Sequence, residues 1–155
     1  MRSNTPVRNF LGIDHGDRRI GLSHGDSETT LAFPLPPAIE PTPEERLAHI
    51  NAEIRRLHIN ELVVGYPLLP DGTAGARTQV VDAFIATLET QFKLPVHRSD
   101  ETLTSVEASK TLSPHQRGRT PAERRRHRAT GILDSRAATL ILQDFLETHF
   151  PPPIP

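Results

Sequence analysis

The sequence predicts an α/β domain in which a five-stranded mixed sheet is flanked by helices. The first apolar segments are short and separated by turn residues, as in antiparallel hairpins. Later apolar segments alternate with segments of helical periodicity, which is typical of strands joined by crossover helices. The length of 155 residues suits one domain with one core. We therefore predict a single domain over residues 1–150, followed by a proline-rich, disordered tail at 151–155.

Three antiparallel strands are predicted at the start of the chain. Residues Phe10 to Asp14 form a short apolar run, and strand character resumes from Ile20 to Ser23 after a charged turn. A third strand from Thr29 to Phe33 is predicted to complete the meander.

A helix is predicted to begin at Pro43, because Thr42 can cap it and Glu45 lies three residues after the cap. Its apolar stripe consists of Leu47, Ile50, Ile54 and Leu57. Residues 62–66 then read as a buried strand, and residues 67–75 as a loop with two prolines and an Asp-Gly turn.

A second helix and a fifth strand follow. The helix is indicated by Val80, Val81, Phe84, Ile85 and Leu88, and the strand by residues 95–99. A capping box at 104–107 predicts a short helix, and residues 113–128 read as an exposed basic loop. A last helix after Gly131 carries a broad apolar face formed by Ala137, Ala138, Leu140, Ile141, Leu142, Phe145 and Leu146.

Acidic residues stand where strands end or a helix begins. Asp14 ends the first strand, and Asp100 with Glu101 ends the fifth. These carboxylates share one edge of the sheet if the first, fourth and fifth strands are neighbours. At about 100° per residue, Asp134 projects from the apolar side of the last helix, so it is expected to be buried against the sheet.

Such a cluster of carboxylates predicts a metal site. A buried carboxylate is costly unless it is paired, protonated or metal-bound, and two close carboxylates repel each other. Mg²⁺ or Mn²⁺ removes both penalties, so we expect Asp14, Glu101 and Asp134 to be metal ligands. Taken singly, Asp14 also fits a turn, Asp134 a helix N-terminus and Glu101 a solvated loop.

Basic residues are concentrated in the last third of the chain and favour a nucleic-acid partner, because each phosphate that they neutralise releases counterions. A solvated charge run is the alternative. Arg18 and Arg19 are candidates for phosphate contacts nearer the acids. The candidates in the basic segment are Lys110, Arg117, Arg119, Arg124, Arg125, Arg126 and Arg128.

The absence of cysteine excludes disulfides and a zinc–thiolate site. There is no N-terminal apolar run long enough for a signal peptide or a membrane span, so we expect a cytoplasmic protein.

Four segments together resemble the YqgF/RuvX family of ribonuclease H-like proteins. In chain order they are LGIDHGDRRIGLS, ELVVGYPLLPDGTAG, LPVHRSDETLTSVEA and LDSRAATLILQDFLE, and the resemblance spans Leu11 to Phe150. The motif GIDHG alone is shared with sugar kinases and actin-like ATPases, but those proteins need a second lobe that this length does not allow.

The resemblance implies a ribonuclease H-like fold with an acidic triad at Asp14, Glu101 and Asp134. It implies a nuclease that uses two Mg²⁺ or Mn²⁺ ions and processes the 5′ end of pre-16S rRNA during ribosome biogenesis. Two alternatives remain open. One is a DNA nuclease of recombination or repair, either a Holliday junction resolvase or a single-strand nuclease. The other is a ribosome-assembly factor that binds nucleic acid and cleaves nothing.

The chain departs from the family pattern at Thr102, where the family commonly has arginine. Arg98, Arg18 and Arg19 are the candidates to replace it. The sequence does not decide between RNA and DNA as the substrate, or between a monomer and a homodimer. A resolvase that acts symmetrically is expected to dimerise.

Overall fold

Five strands and three helices make up the part of the chain that the computed structural model describes, which is residues 5–67, 75–100 and 135–151. The predicted short helix at 104–107, the predicted basic loop at 113–128 and most of the predicted tail lie outside these residues.

The strands form one mixed sheet in the order β3-β2-β1-β4-β5. The first three strands pair antiparallel, whereas β4 is parallel to both β1 and β5. The predicted five-stranded mixed sheet is therefore confirmed, with the first, fourth and fifth strands as neighbours. Their bounds are β1 Asn9–His15, β2 Ile20–Asp26, β3 Ala32–Ala38, β4 Glu61–Tyr66 and β5 Val96–Asp100.

The predicted position of the third strand is wrong. The carboxylate of Asp26 accepts hydrogen bonds from the N–H groups of Glu28 and Thr29, at 2.9 and 2.7 Å, and Thr30 has a positive φ of 56°. These features make a turn where the strand was predicted to begin. The strand instead runs through Pro34, Pro36 and Pro37, which an edge strand tolerates because its outer N–H groups need no partner strand.

The helices cover both faces of the sheet. They are α1 Pro43–Arg56, α2 Ala76–Phe92 and α3 Arg136–His149. The hydroxyl of Thr42 accepts a hydrogen bond from the Glu45 N–H at 3.2 Å, which confirms the predicted helix start. Apolar residues of α1 and α2 pack with Leu11 and Ile13 on one face of the sheet, whereas those of α3 pack with Phe10 and Val63 on the other.

At the amino end of the parallel strands, Glu61 is the centre of a charged cluster. Its side chain is 11% exposed and accepts two hydrogen bonds from the Arg8 guanidinium, at 2.5 and 2.6 Å. The His97 ring lies 2.8 Å from the same carboxylate. The hydrogen bonds from Arg8 lower the pKa of Glu61, although desolvation opposes them, and a contact with His97 lowers the pKa further.

The substitution Glu61→Gln is expected to lower the free energy of unfolding at pH 7 by about 1–3 kcal/mol, because Arg8 loses its charged partner while the shape is kept. The folded-state pKa of Glu61 lies below the ordinary value of 4.5. The stabilisation is therefore present above that value and is lost as pH falls through the folded-state pKa. Urea unfolding at pH 7 and at about pH 3 should show a deficit that shrinks on acidification.

The exposed Glu89 offers a matched control, since Glu89→Gln removes the same charge from the surface of α2. It is expected to change stability by less than about 0.5 kcal/mol. A Glu61→Gln protein as stable as the unsubstituted one at pH 7 would contradict the stabilising role of the cluster.

Candidate functional site

Asp14 lies at the carboxyl end of β1, one residue before the strand ends at His15. It pairs with Gly21 of β2, and the preceding Ile13 pairs with Val64 of β4. Asp14 is half-buried. Since carboxyl ends of parallel strands meet at one edge of a sheet, this residue stands at the edge where ligands bind in open α/β sheets.

The side chain of Asp14 falls on the face of the sheet that α3 covers. Side chains alternate along a strand, so Asp14 shares its face with Gly12. A Cβ on Gly12 would lie 2.2 Å from Ser23 Oγ, 2.8 Å from Leu142 Cβ and 2.9 Å from the Ala138 carbonyl oxygen. Only glycine admits α3 this close to β1, two residues before the acid.

Hydrogen bonds hold the first turn of α3 against the neighbouring strands. Ser135 is fully buried, and its hydroxyl donates to the Leu35 carbonyl at 2.5 Å and accepts from the Leu22 N–H at 3.3 Å. Ser23 Oγ donates to the Ala138 carbonyl at 2.7 Å. Because Leu22 adjoins Gly21, the strand partner of Asp14, these hydrogen bonds hold Ser135 close to the end of β1.

The fifth strand brings a second acidic residue to the same edge. Gly65 pairs with Ser99 and Tyr66 with Asp100, so Asp14 and the end of β5 are separated only by β4. That spacing is about 10 Å between backbones. His97 contacts Phe145 of α3, and alternation then assigns Ser99 to the α3 face and the exposed Asp100 to the opposite face. Asp100 does not share a face with Asp14.

Two of the three predicted metal ligands, Glu101 and Asp134, lie outside the described residues. Each is one peptide bond from a described residue at this edge, Asp100 and Ser135 respectively. Among residues 5–67, 75–100 and 135–151, no three histidine, aspartate or glutamate side chains come together as a metal site. Asp14 is the described member of the predicted triad, and a carboxylate oxygen is a ligand that Mg²⁺ and Mn²⁺ favour.

Arg18 and Arg19, two of the predicted nucleic-acid contacts, are both exposed in the turn between β1 and β2. The other predicted nucleic-acid contacts lie outside the described residues: Lys110, Arg117, Arg119, Arg124, Arg125, Arg126 and Arg128.

Burial lowers the pKa of His15, and the positive charges of Arg77 and Arg46 lower it further against the opposing effect of Asp17.

Arg77 is a cation of this edge that the sequence analysis missed. It lies in the first turn of α2, and its Nη2 donates to the His15 carbonyl at 2.5 Å. A signal was available, because a cation in the first turn of a helix opposes the helix dipole and usually needs a compensating contact.

Arg98, proposed as a replacement for the family arginine, faces away from Asp14. Its guanidinium lies 3.6 Å from the Asp82 carboxylate and 5.6 Å from the centre of the Tyr66 ring. The Tyr66 hydroxyl also donates to Asp82, at 3.1 Å, and this hydrogen bond raises the pKa of Tyr66. Asp82 belongs to α2, so Arg98 is engaged on the face of the sheet opposite α3.

In the described part of the chain, no helix is both long and apolar enough to cross a membrane.

Comparison with known proteins gives consistent matches over most of the sequence. A family model described as "RuvX: Holliday junction resolvase" matches residues 8–148. A relative from Opitutus terrae, named "Putative pre-16S rRNA nuclease", is 49% identical over 146 residues, which is 94% of this chain and 95% of the relative. A relative of the same name from Syntrophus aciditrophicus is 37% identical over 138 residues, covering 89% of this chain and 87% of its own.

Solved structures give a weaker match. Thermus thermophilus RuvC in complex with a Holliday junction substrate has a TM-score of 0.48 and 15% identity, covering 93% of this chain and 96% of that one. A second structure from the same organism, described as "Thermus thermophilus RuvC structure", has a TM-score of 0.46 and 15% identity, covering 91% of this chain and 95% of that one.

The substitution Gly12→Ala is expected to destabilise the protein by about 1–3 kcal/mol, because the added methyl group collides with Ser23, Leu142 and the Ala138 backbone. Urea unfolding measures the change. The double variant Gly12→Ala/Ser23→Ala removes the nearest colliding atom and should lose less stability than the sum of the single variants. A Gly12→Ala protein of unchanged stability would show that α3 does not lie this close to β1.

Proposed function

Because the chain belongs to the RuvX family, we propose that it is a metal-dependent nuclease whose site is formed by Asp14, Glu101 and Asp134. The observation that supports this site best is the position of Asp14, on the α3 face and at the carboxyl edge of the sheet. The other two acids are bonded to residues that the described structure holds at or beside that edge.

Strand alternation supports Glu101 as the partner of Asp14. His97 and Ser99 are on the α3 face, and 101 continues this odd-numbered series, whereas Asp100 belongs to the other face. For Asp134, the support is the anchoring of the adjacent Ser135 to β2 and β3. We therefore propose Glu101 rather than Asp100 as the ligand from this strand.

The proposed donor set consists of carboxylates, which suits Mg²⁺ or Mn²⁺. When bound there, such ions supply an activated water and stabilise the leaving oxygen of a phosphodiester. The protein's own part would be to bring three negative charges together at the edge where the half-buried Asp14 lies. It also surrounds the end of β1 with Arg18 and Arg19, which attract the phosphate backbone towards an otherwise anionic edge.

We propose ribosomal precursor RNA as the substrate, with cleavage at the 5′ end of pre-16S rRNA. The support is the name carried by relatives up to 49% identical over nearly their whole length. The described site does not distinguish RNA from DNA, because carboxylate-bound metal and arginine contact the phosphate groups that both share.

A DNA junction is the second candidate substrate, and the description of the matching family model as a Holliday junction resolvase favours it. Symmetric cleavage of a four-way junction requires two active sites. This candidate therefore predicts a dimer at working concentrations, which sedimentation of the protein with and without junction DNA measures.

The substitution Asp14→Asn is expected to abolish cleavage, because the amide loses the negative charge that a metal ligand supplies. Purified protein is incubated with ribosomal precursor RNA, single-stranded DNA and four-way junctions, with Mn²⁺ or with EDTA. We expect cleavage of the RNA only with Mn²⁺, and none by the variant. Without metal, the melting temperature of the variant should equal or exceed that of the unsubstituted protein, because a repulsive charge has been removed.

Asp144→Asn is the matched control, since Asp144 is exposed on α3 and the charge change is the same; it should keep full activity. Full activity in Asp14→Asn would refute the site. Specific RNA binding without cleavage by the unsubstituted protein would favour an assembly factor instead. Selective cleavage of junctions would favour the resolvase.

A further inference from the structure

Arg77 ties the start of α2 to the end of β1, across 62 positions of sequence. Its Nη2 donates to the main-chain carbonyl of His15 at 2.5 Å, and its Nη1 lies 3.4 Å from the Asp17 carboxylate. Asp17 is 84% exposed, so its ion pair with Arg77 is weak. The bond to the main chain is the significant contact.

The residue that Arg77 holds is the direct neighbour of Asp14. The His15 carbonyl belongs to the peptide that follows His15, so fixing it restricts the backbone on the carboxyl side of the acid. The ring of His15 also stacks on Phe84 of α2, with 4.2 Å between ring centres. The helix α2 thus contacts position 15 through both its main chain and its side chain.

The turn beyond His15 has little freedom of its own. The Gly16 N–H donates to the Arg19 carbonyl at 2.8 Å, and a Cβ on Gly16 would lie 2.5 Å from that same oxygen. This hydrogen bond closes the turn directly after His15, whose own strand partner is Ile20. A contact at the His15 carbonyl therefore adds a further restraint at the end of β1, one residue after Asp14.

The location of Arg77 in its own helix argues against a merely local role. A cation in the first turn opposes the helix dipole, which is a cost in helix stability. The first turn of α2 contains no acidic residue that would offset this cost. Arg77 is also 44% exposed, so burial does not require it there.

We propose that Arg77 is a positioning residue that acts through the backbone of His15 to hold the Asp14 carboxylate where it binds metal. The expected effect on metal binding and cleavage rests on the proposed function, whereas the expected effect on the backbone at the end of β1 does not. It differs from a phosphate-binding role, in which the guanidinium would contact the substrate directly.

The test compares Arg77→Ala and Arg77→Lys with Arg56→Ala. Arg56 makes a two-point ion pair with Glu53, at 2.9 Å for both contacts, in the last turn of α1, so its removal deletes an equivalent cation away from Asp14. Lysine can restore one hydrogen bond to the His15 carbonyl. Arg77→Lys therefore also serves as the test variant if Arg77→Ala does not fold. Melting temperatures of all variants are measured first.

Three readouts follow: amide hydrogen exchange at Gly16, Mn²⁺ affinity by calorimetry without substrate, and kcat and KM on the nucleic acid that the unsubstituted protein cleaves. For Arg77→Ala we expect faster exchange at Gly16 and a loss of about 10-fold in Mn²⁺ affinity, as for other residues that orient metal ligands. A lower kcat with unchanged KM and salt dependence should accompany these changes. Arg77→Lys should recover part of each, and Arg56→Ala should match the unsubstituted protein.

Unchanged exchange at Gly16 in Arg77→Ala would overturn the inference. So would unchanged Mn²⁺ affinity together with a raised KM and a salt slope reduced by about one, which is the signature of a lost phosphate contact. If the unsubstituted protein neither binds Mn²⁺ nor cleaves, the proposed function fails. Gly16 exchange then still decides whether Arg77 holds the end of β1.

Discussion

The close approach of α3 to β1 and β2 is the constraint on which the acidic edge depends. Gly12 leaves room for the helix, and the hydroxyl of Ser23 bonds to a carbonyl in its first turns. A larger residue at position 12 would push α3, and Ser135 at its start, away from β1. The proposed site therefore depends on the missing side chain of Gly12, two residues before the acid, as much as on the acid itself.

The two ends of the parallel strands carry different arrangements of charged groups. At the amino end, the carboxylate of Glu61 is buried but fully engaged by Arg8 and His97, so it contributes to stability and needs no further ligand. At the carboxyl end, Asp14 is half-buried, Arg77 binds the carbonyl of the next residue, and the turn that follows β1 carries the exposed Arg18 and Arg19. Protein groups satisfy the first cluster. The proposed site at the other end would gather three carboxylates, which repel one another unless cations lie between them.

The third strand shows what the sequence could and could not predict. Strand number and direction follow from the alternation of apolar runs and helical stripes, and Thr42 marks the start of α1 correctly. The bounds of β3 do not follow, because three prolines argue against a strand unless it is known to lie at an edge. In the structure, Gln143 of α3 bonds to both the Ala32 N–H and the Thr30 carbonyl, at 2.9 Å each, so a side chain 111 positions away from Ala32 fixes the start of β3.

The same limit explains why the position of Asp14 at a strand end could be predicted and the contact of Arg77 could not. Asp14 ends an apolar run, which a local pattern shows. The role of Arg77 depends on where the start of α2 meets the end of β1, a contact between segments 62 positions apart that no local periodicity records. Its only trace in the sequence is an unfavourable one, a cation in the first turn of a helix. A residue whose charge is unfavourable at its own position in a helix, with no neighbour in the sequence to offset it, therefore indicates a contact with a distant segment. Arg77 is such a residue, and local sequence patterns show only Asp14.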